Sequence, residues 1–252
     1  MRMNQIEKPE SRVALITGGV RGIGRAVSVA LAQRGWTVAV CYRANAAAAA
    51  GFESELRDLG SRAVVMCADV SVPAGAESLV RQVEDTCGRI DALVNCVGRY
   101  HRIHLMEESI ETWHSEFDNN LHPAFYLSRA VVPGMIRRKW GRIVNFSMVN
   151  ADQHVGQPYV TAHYIAKIGV AVLTKSLAKI VAPHGITANI ISPGFIDTGN
   201  IPQEEVARSI KGIPAGYMGT AEDAAGAVLY LLSDEARYIN GANIQVSGAW
   251  GI

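Results

Sequence analysis

Short apolar runs alternate with longer stretches of helical period along nearly the whole chain, and this alternation limits the fold more than any other feature. Val13–Ile16, Thr37–Cys41, Arg62–Cys67, Ala92–Cys96, Gly141–Ser147, Thr187–Ser192 and Asn243–Val246 read as strands. Ile23–Arg34, Ala46–Leu59, Ala74–Thr86, Trp113–Val132, Thr161–Ala182 and Ala221–Leu232 read as the helices that separate or follow them. Repeated strand–helix–strand units bury both faces of every strand only in a parallel sheet with helices on either side. No linker or repeat interrupts the pattern, so residues 1–252 are expected to form a single α/β domain. The alanine run Ala46–Ala50 reads as a strong helix former at the start of its helix. Gly199–Gly219 has weak periodicity and is expected to be a mobile loop over a substrate site.

Composition narrows the function classes. With 24 basic and 23 acidic side chains the formal net charge is +1, which provides no field to gather nucleic acid or a lipid surface. The 4 cysteines (Cys41, Cys67, Cys87, Cys96) show neither CxxC nor Cys/His ligand spacing, and reduced thiols are expected. Met1–Arg12 is polar, and no run approaches the length of a membrane span, so the expected location is cytoplasmic.

The first strand leads into Thr17-Gly18-Gly19-Val20-Arg21-Gly22-Ile23-Gly24. Gly18, Gly22 and Gly24 allow a tight turn, close approach of a pyrophosphate and close packing of helix on strand. The pyrophosphate then lies at the positive end of the helix that begins near Ile23. Strand, glycine turn and helix in this order make a dinucleotide site in a Rossmann-type doubly wound sheet.

Read as TGxxxGIG, this element resembles the fingerprint of the short-chain dehydrogenase/reductase family, in particular its 3-oxoacyl-ACP reductase-like members. Further motifs follow in order: Asp69-Val70, Asn95-Cys96-Val97-Gly98, Asn120-Leu121, Gly141–Asn145, Pro193-Gly194 with Ile196 and Thr198, Ala221-Glu222-Asp223, and Tyr238-Ile239-Asn240-Gly241. The resemblance implies an oxidoreductase with a nicotinamide cofactor, Asp69 and Val70 at the adenine, Asn95 and Gly98 along the cofactor, and Pro193–Thr198 at the carboxamide. It also implies self-association, as a homotetramer or a dimer, and a pocket for Trp250 on a neighbouring subunit. At the end of the second strand, where a carboxylate would select NAD(H), stand Tyr42 and Arg43, with Arg21 directed to the same corner. Guanidiniums suit a 2′-phosphate, so NADP(H) is expected.

The catalytic pattern of the family is YxxxK, with an upstream serine and an asparagine on the central helix. Lys167 and Asn120 match. Four residues before Lys167 stands His163, with Tyr164 one residue late; Met148 takes the usual serine place, with Ser147 one residue early. Both His163 and Tyr164 can share a helix face with Lys167, and an imidazole titrates in the range useful to a general acid. Three readings stand side by side. One is an NADPH-dependent carbonyl reductase whose proton donor is His163 or Tyr164. The second is a reductase of an iminium or activated C=C bond that needs no acid. The third is a non-redox cyclase, isomerase or binding protein on the same scaffold. His101 and His104 have i,i+3 spacing without a third ligand, so no metal is expected. Asp152, His154 and Tyr159 occupy the loop at the sheet edge where ligands bind.

Overall fold

The computed structural model describes residues 11–44, 46–199 and 201–252. Its strands, in chain order, are β1 (Val13–Thr17), β2 (Thr37–Tyr42), β3 (Ala63–Cys67), β4 (Ala92–Asn95), β5 (Gly141–Phe146), β6 (Ile186–Pro193), β7 (Ile196–Asp197), β8 (Gly219–Thr220) and β9 (Asn243–Val246). Seven of them form one parallel sheet in the order β3-β2-β1-β4-β5-β6-β9, while β7 and β8 make a small separate ladder. The chain reverses its winding between β3 and β4, so a crevice opens at the carboxyl ends of β1 and β4, where open α/β sheets bind ligands.

Period-2 alternation divides the core. Ala14 and Ile16 of β1 join a cluster with α1 (Gly22–Ala32), α2 (Ala46–Asp58) and the last helix, Ala221–Leu232. Val13 and Leu15 join another with α3 (Pro73–Cys87) and the helices His122–Arg138 and Thr161–Val181. The remaining helices are α4 (Ile110–Asn120), α5 (His122–Arg138), α6 (Thr161–Val181), α7 (Gln203–Ile210) and α8 (Ala221–Leu232). Both faces are thus covered, as parallel strands require. No helix among the described residues is long and apolar enough to cross a membrane.

Two expectations need correction. The single helix over Trp113–Val132 is two helices, α4 and α5, which meet at Leu121. Pro123 lies in the first turn of α5 and has no N–H for the preceding turn, so the helix restarts there. Pro133, just past the expected end of that helix, lies inside α5 on its exposed side, while buried Val131 and Met135 hold the other side to the core. The stretch 199–219 is not one loop: it contains α7 and enters β8. At eight residues α7 is too short for its period to stand out.

Candidate active site

The glycine turn after β1 is shaped for a close guest. Gly18 and Gly22 have φ of +62° and +53°, which L side chains rarely adopt, and a Cβ on Gly24 would lie 2.6 Å from the Gly18 carbonyl oxygen. Arg21 precedes α1 with extended backbone and gives no side-chain cap, so the first-turn N–H groups have no protein carboxylate or hydroxyl from that position. Val97 N–H donates to Thr17 Oγ1 at 3.2 Å and draws the turn after β4 towards this cradle. These features fit the pyrophosphate of a dinucleotide.

Beyond the carboxyl end of β3, Asp69 Oδ1 accepts from the Ser71 N–H at 3.0 Å and hydroxyl at 2.6 Å. Chiefly through Ser71, with help from Arg43, the carboxyl is held below the usual range. Arg43 leans from the end of β2 towards α4, donating to Asn119 Oδ1 at 2.9 Å and lying 3.9 Å from Asp69 Oδ1. Tyr42 is half-buried and Arg21 exposed, and no carboxylate occupies the last position of β2.

A cavity of about 190 Å³ opens beside the cradle, with Ile23, Gly98, Asn120, Ser147, His163, Lys167 and Pro193 in its wall. A buried chain of hydrogen bonds supports it from below. Asn95 Nδ2 donates to Asn145 Oδ1 at 2.6 Å, and Asn145 Nδ2 donates to Thr174 Oγ1 at 2.9 Å. This fixes α6 against β4 and β5, with Lys167 two turns above Thr174. Lys167 Nζ donates to the Phe146 carbonyl at 3.1 Å. Burial pulls its ammonium down from 10.5 to about 8, partly offset by Cys96 and Glu116. A Cβ on Gly98 would meet Asn120 Oδ1 at 3.1 Å and Lys167 Nζ at 3.2 Å, so glycine keeps these two groups near one another.

The structure separates the two candidate acids. His163 is in the cavity wall, one helical turn from Lys167, with the edge of its ring towards Tyr100 at 5.2 Å between centroids. Tyr164 is turned away: its hydroxyl donates to the Asn150 carbonyl at 2.5 Å and accepts from Val155 N–H at 3.3 Å, pinning the loop between β5 and α6. Ser147 reaches the wall, but its hydroxyl donates to the Lys167 carbonyl at 2.8 Å.

One residue of this site escaped the sequence reading. Glu116, on α4, is 1% exposed; its Oε2 lies 3.1 Å from His163 Nδ1 and accepts from Asn120 Nδ2 at 3.1 Å. A carboxylate one turn before Asn120 was the available signal, but only the packing of α4 on α6 reveals its partner.

Other candidates go elsewhere. His104 Nδ1 accepts from Met106 N–H at 3.4 Å and its ring meets Tyr159 in a T-shaped contact at 5.3 Å between centroids, while His101 is half-buried with Nδ1 unpartnered among the described residues. No group of three or more His, Cys, Asp or Glu is gathered for a metal among the described residues. Asp152 and His154 lie exposed. The Trp250 ring packs on Phe195 of its own chain, 4.5 Å between centroids.

The family model described as enoyl-(acyl carrier protein) reductase matches residues 18–250. The chain belongs to the short-chain dehydrogenase/reductase family. It is 36% identical over 243 residues to the 3-oxoacyl-[acyl-carrier-protein] reductase of Vibrio harveyi, covering 95% of this chain and 97% of that one. It is 37% identical over 244 residues to the acetoacetyl-CoA reductase of Allochromatium vinosum, covering 94% and 98%. Among solved structures, one assigned as a short-chain alcohol dehydrogenase of Sinorhizobium meliloti 1021 superposes with a TM-score of 0.88 at 31% identity, over 95% of this chain and 96% of that one. The protein is therefore an oxidoreductase of the short-chain dehydrogenase/reductase type, a class that uses nicotinamide cofactors.

Proposed function

We propose that this short-chain dehydrogenase/reductase reduces the carbonyl of a small organic substrate with NADPH, His163 acting as the proton donor. The observation that carries this reading is the placement of His163 in the cavity wall one turn from Lys167, with Tyr164 committed to a loop. The two named reductases above each act on an oxo group, which favours a carbonyl over the other substrates considered.

In this reading Gly18, Gly22, Ile23 and Gly24 hold the pyrophosphate, Asp69 and Val70 the adenine, and Asn95 and Gly98 the middle of the cofactor. Pro193, Gly194, Ile196 and Thr198 hold the carboxamide, and Lys167 holds the nicotinamide ribose. Arg43 and Arg21, beside Tyr42, bind the 2′-phosphate; the absence of a carboxylate from the last position of β2 supports NADP(H) over NAD(H). When bound, the reduced cofactor supplies a hydride to the carbonyl carbon. His163 donates a proton to the oxygen, so that no free alkoxide builds up. Lys167 keeps a positive charge beside the oxygen, and Asn120, anchored to the Arg99 carbonyl at 3.0 Å, holds its Oδ1 near Lys167 Nζ. Ser147 steadies α6 through the Lys167 carbonyl.

A homotetramer belongs to the same reading: Phe125 on α5 and Ile165 and Val172 on α6 expose apolar surface on the two longest helices. A cytoplasmic, reducing location agrees with four free thiols. The test is turnover of NADPH and NADH with a carbonyl panel in wild type, His163→Ala and Tyr164→Phe. The expected result is preference for NADPH, a loss of about 10²-fold or more in kcat for His163→Ala, and near wild-type turnover for Tyr164→Phe. Dead Tyr164→Phe with active His163→Ala would reverse the assignment.

A further inference from the structure

We propose that Glu116 is a positioning residue which forms a buried dyad with His163, fixing the hydrogen on Nδ1 so that Nε2 is the nitrogen that hands the proton to substrate. The proposal deepens the reading of His163 as proton donor and rests on it.

The geometry is one-sided. Glu116 Oε2 meets His163 Nδ1 at 3.1 Å, with the carboxylate 1% and the imidazole 8% exposed. A carboxylate accepts only, so the shared hydrogen belongs to Nδ1 and leaves Nε2 as the second ring nitrogen. Asn120 has no need of the carboxylate: its Nδ2 also donates to the Glu116 carbonyl at 2.9 Å and the Arg99 carbonyl at 3.0 Å. Among the described residues His163 has no other acceptor. Glu116 Oε1 is buried without a partner among the described residues, an arrangement a merely structural carboxylate would be expected to avoid.

The proton step balances. An imidazolium gives the Nε2 proton to the carbonyl oxygen as the C=O π bond opens and hydride adds at carbon; neutral imidazole remains, its Nδ1 hydrogen still on Glu116, and solvent returns the lost proton. A carboxylate at this distance holds the ring through its Nδ1 hydrogen and fixes which nitrogen faces the substrate. The other groups facing the dyad are Lys167 from α6, the Tyr100 ring from the loop after β4, and Glu108, whose carboxyl is pushed up by its own burial and by Glu116 and drawn down by His101. Glu116 also acts on Lys167, offsetting part of the fall that burial imposes on its ammonium.

The experiment is nitrogen-15 NMR of the histidines in cofactor-free protein, with kinetics and NADPH fluorescence titration, for wild type, Glu116→Gln and Glu116→Asp. In wild type, His163 is expected with hydrogen on Nδ1 and none on Nε2 in the neutral ring. Glu116→Gln is expected to let hydrogen populate Nε2 as well and to lower kcat by about 10²-fold, with NADPH affinity unchanged and Glu116→Asp partly restoring both the tautomer and the rate. The opposite tautomer in wild type overturns the dyad even if no variant folds, as does a Glu116→Gln protein with unaltered kcat and unaltered His163 tautomer. An altered His163 tautomer together with full turnover in His163→Ala would leave the carboxylate–imidazole pair standing but remove its catalytic role and the proton-donor reading with it.

Discussion

The two ends of the same sheet bury charge in opposite ways. At the amino ends of the strands, Asp91 is fully buried yet accepts from Val13 N–H at 2.9 Å and from Arg89 Nη2 at 2.7 Å, with Arg138 Nε a further 3.6 Å away. Arg142, 2% exposed, bonds the Gly141, Gly185 and Ser233 carbonyls and faces Asp234 at 3.5 Å. Asp234 also accepts from Arg12 and from Trp140 Nε1, and the Arg12 guanidinium lies 4.1 Å from the Trp140 ring centroid. At the carboxyl ends, buried Glu116, Asn120 and Asn95 each keep a side-chain oxygen without a partner among the described residues, and Lys167 Nζ donates to the Phe146 carbonyl. At the amino ends Arg138 Nε is the exception in a cluster otherwise satisfied, which makes a fastening, whereas polar groups left partly unpartnered at the carboxyl ends can meet a ligand. The fold invests stability at one end and chemistry at the other.

Substitutions can break this contrast. The largest effect is expected at the amino edge: Asp91→Ala strips the Val13 N–H of its buried acceptor and takes away a carboxylate that faces Arg89 and Arg138, and should cost about 3–5 kcal/mol in urea unfolding, with the folded protein keeping its kcat/KM. At the carboxyl edge the sign should invert. Lys167→Met is expected to lower kcat/KM on the order of 10³-fold while raising the melting temperature of the cofactor-free protein at neutral pH. The sign follows from linkage: the unfolded chain holds the Lys167 proton up to its ordinary 10.5 and the folded chain only to about 8. The unfolded state therefore binds more protons between those values, wild-type stability rises with pH across that window, and Lys167→Met should flatten the rise.

Smaller effects sharpen the same comparison. Arg43→Ala should weaken NADPH by about tenfold through loss of one charged contact, leave NADH nearly unchanged and leave the melting temperature within about a degree. Tyr164→Phe should remove a loop fastening worth about 1 kcal/mol, visible by calorimetry, with kcat nearly unchanged. A large kcat defect there would mean that the β5–α6 loop belongs to the chemistry rather than to its support.

The strands, the two helix layers and the glycine cradle were legible in the sequence because they rest on local pattern: unbroken apolar runs such as Val13–Ile16 and glycines at Gly18 and Gly22, where φ is positive. Lys167 and Asn120 followed from motif spacing. The helix break at Leu121 was hidden because the apolar pattern runs through it; Pro123 was the sign, weaker than Pro133, which turned out to be tolerated on an exposed face. Choosing between His163 and Tyr164 needed three dimensions, since i,i+3 and i,i+4 residues both neighbour Lys167 on a helix. Glu116 was illegible for the same reason: its meaning comes from α4 packing on α6, a contact 47 residues apart in the chain.

Chemical rescue tests the central claim most directly. His163→Gly, assayed at saturating NADPH with and without added imidazole, should lose turnover by about 10²-fold or more and recover it saturably as imidazole fills the vacated space beside Glu116, with cofactor affinity constant throughout. Undiminished turnover in His163→Gly before any imidazole is added would contradict the account.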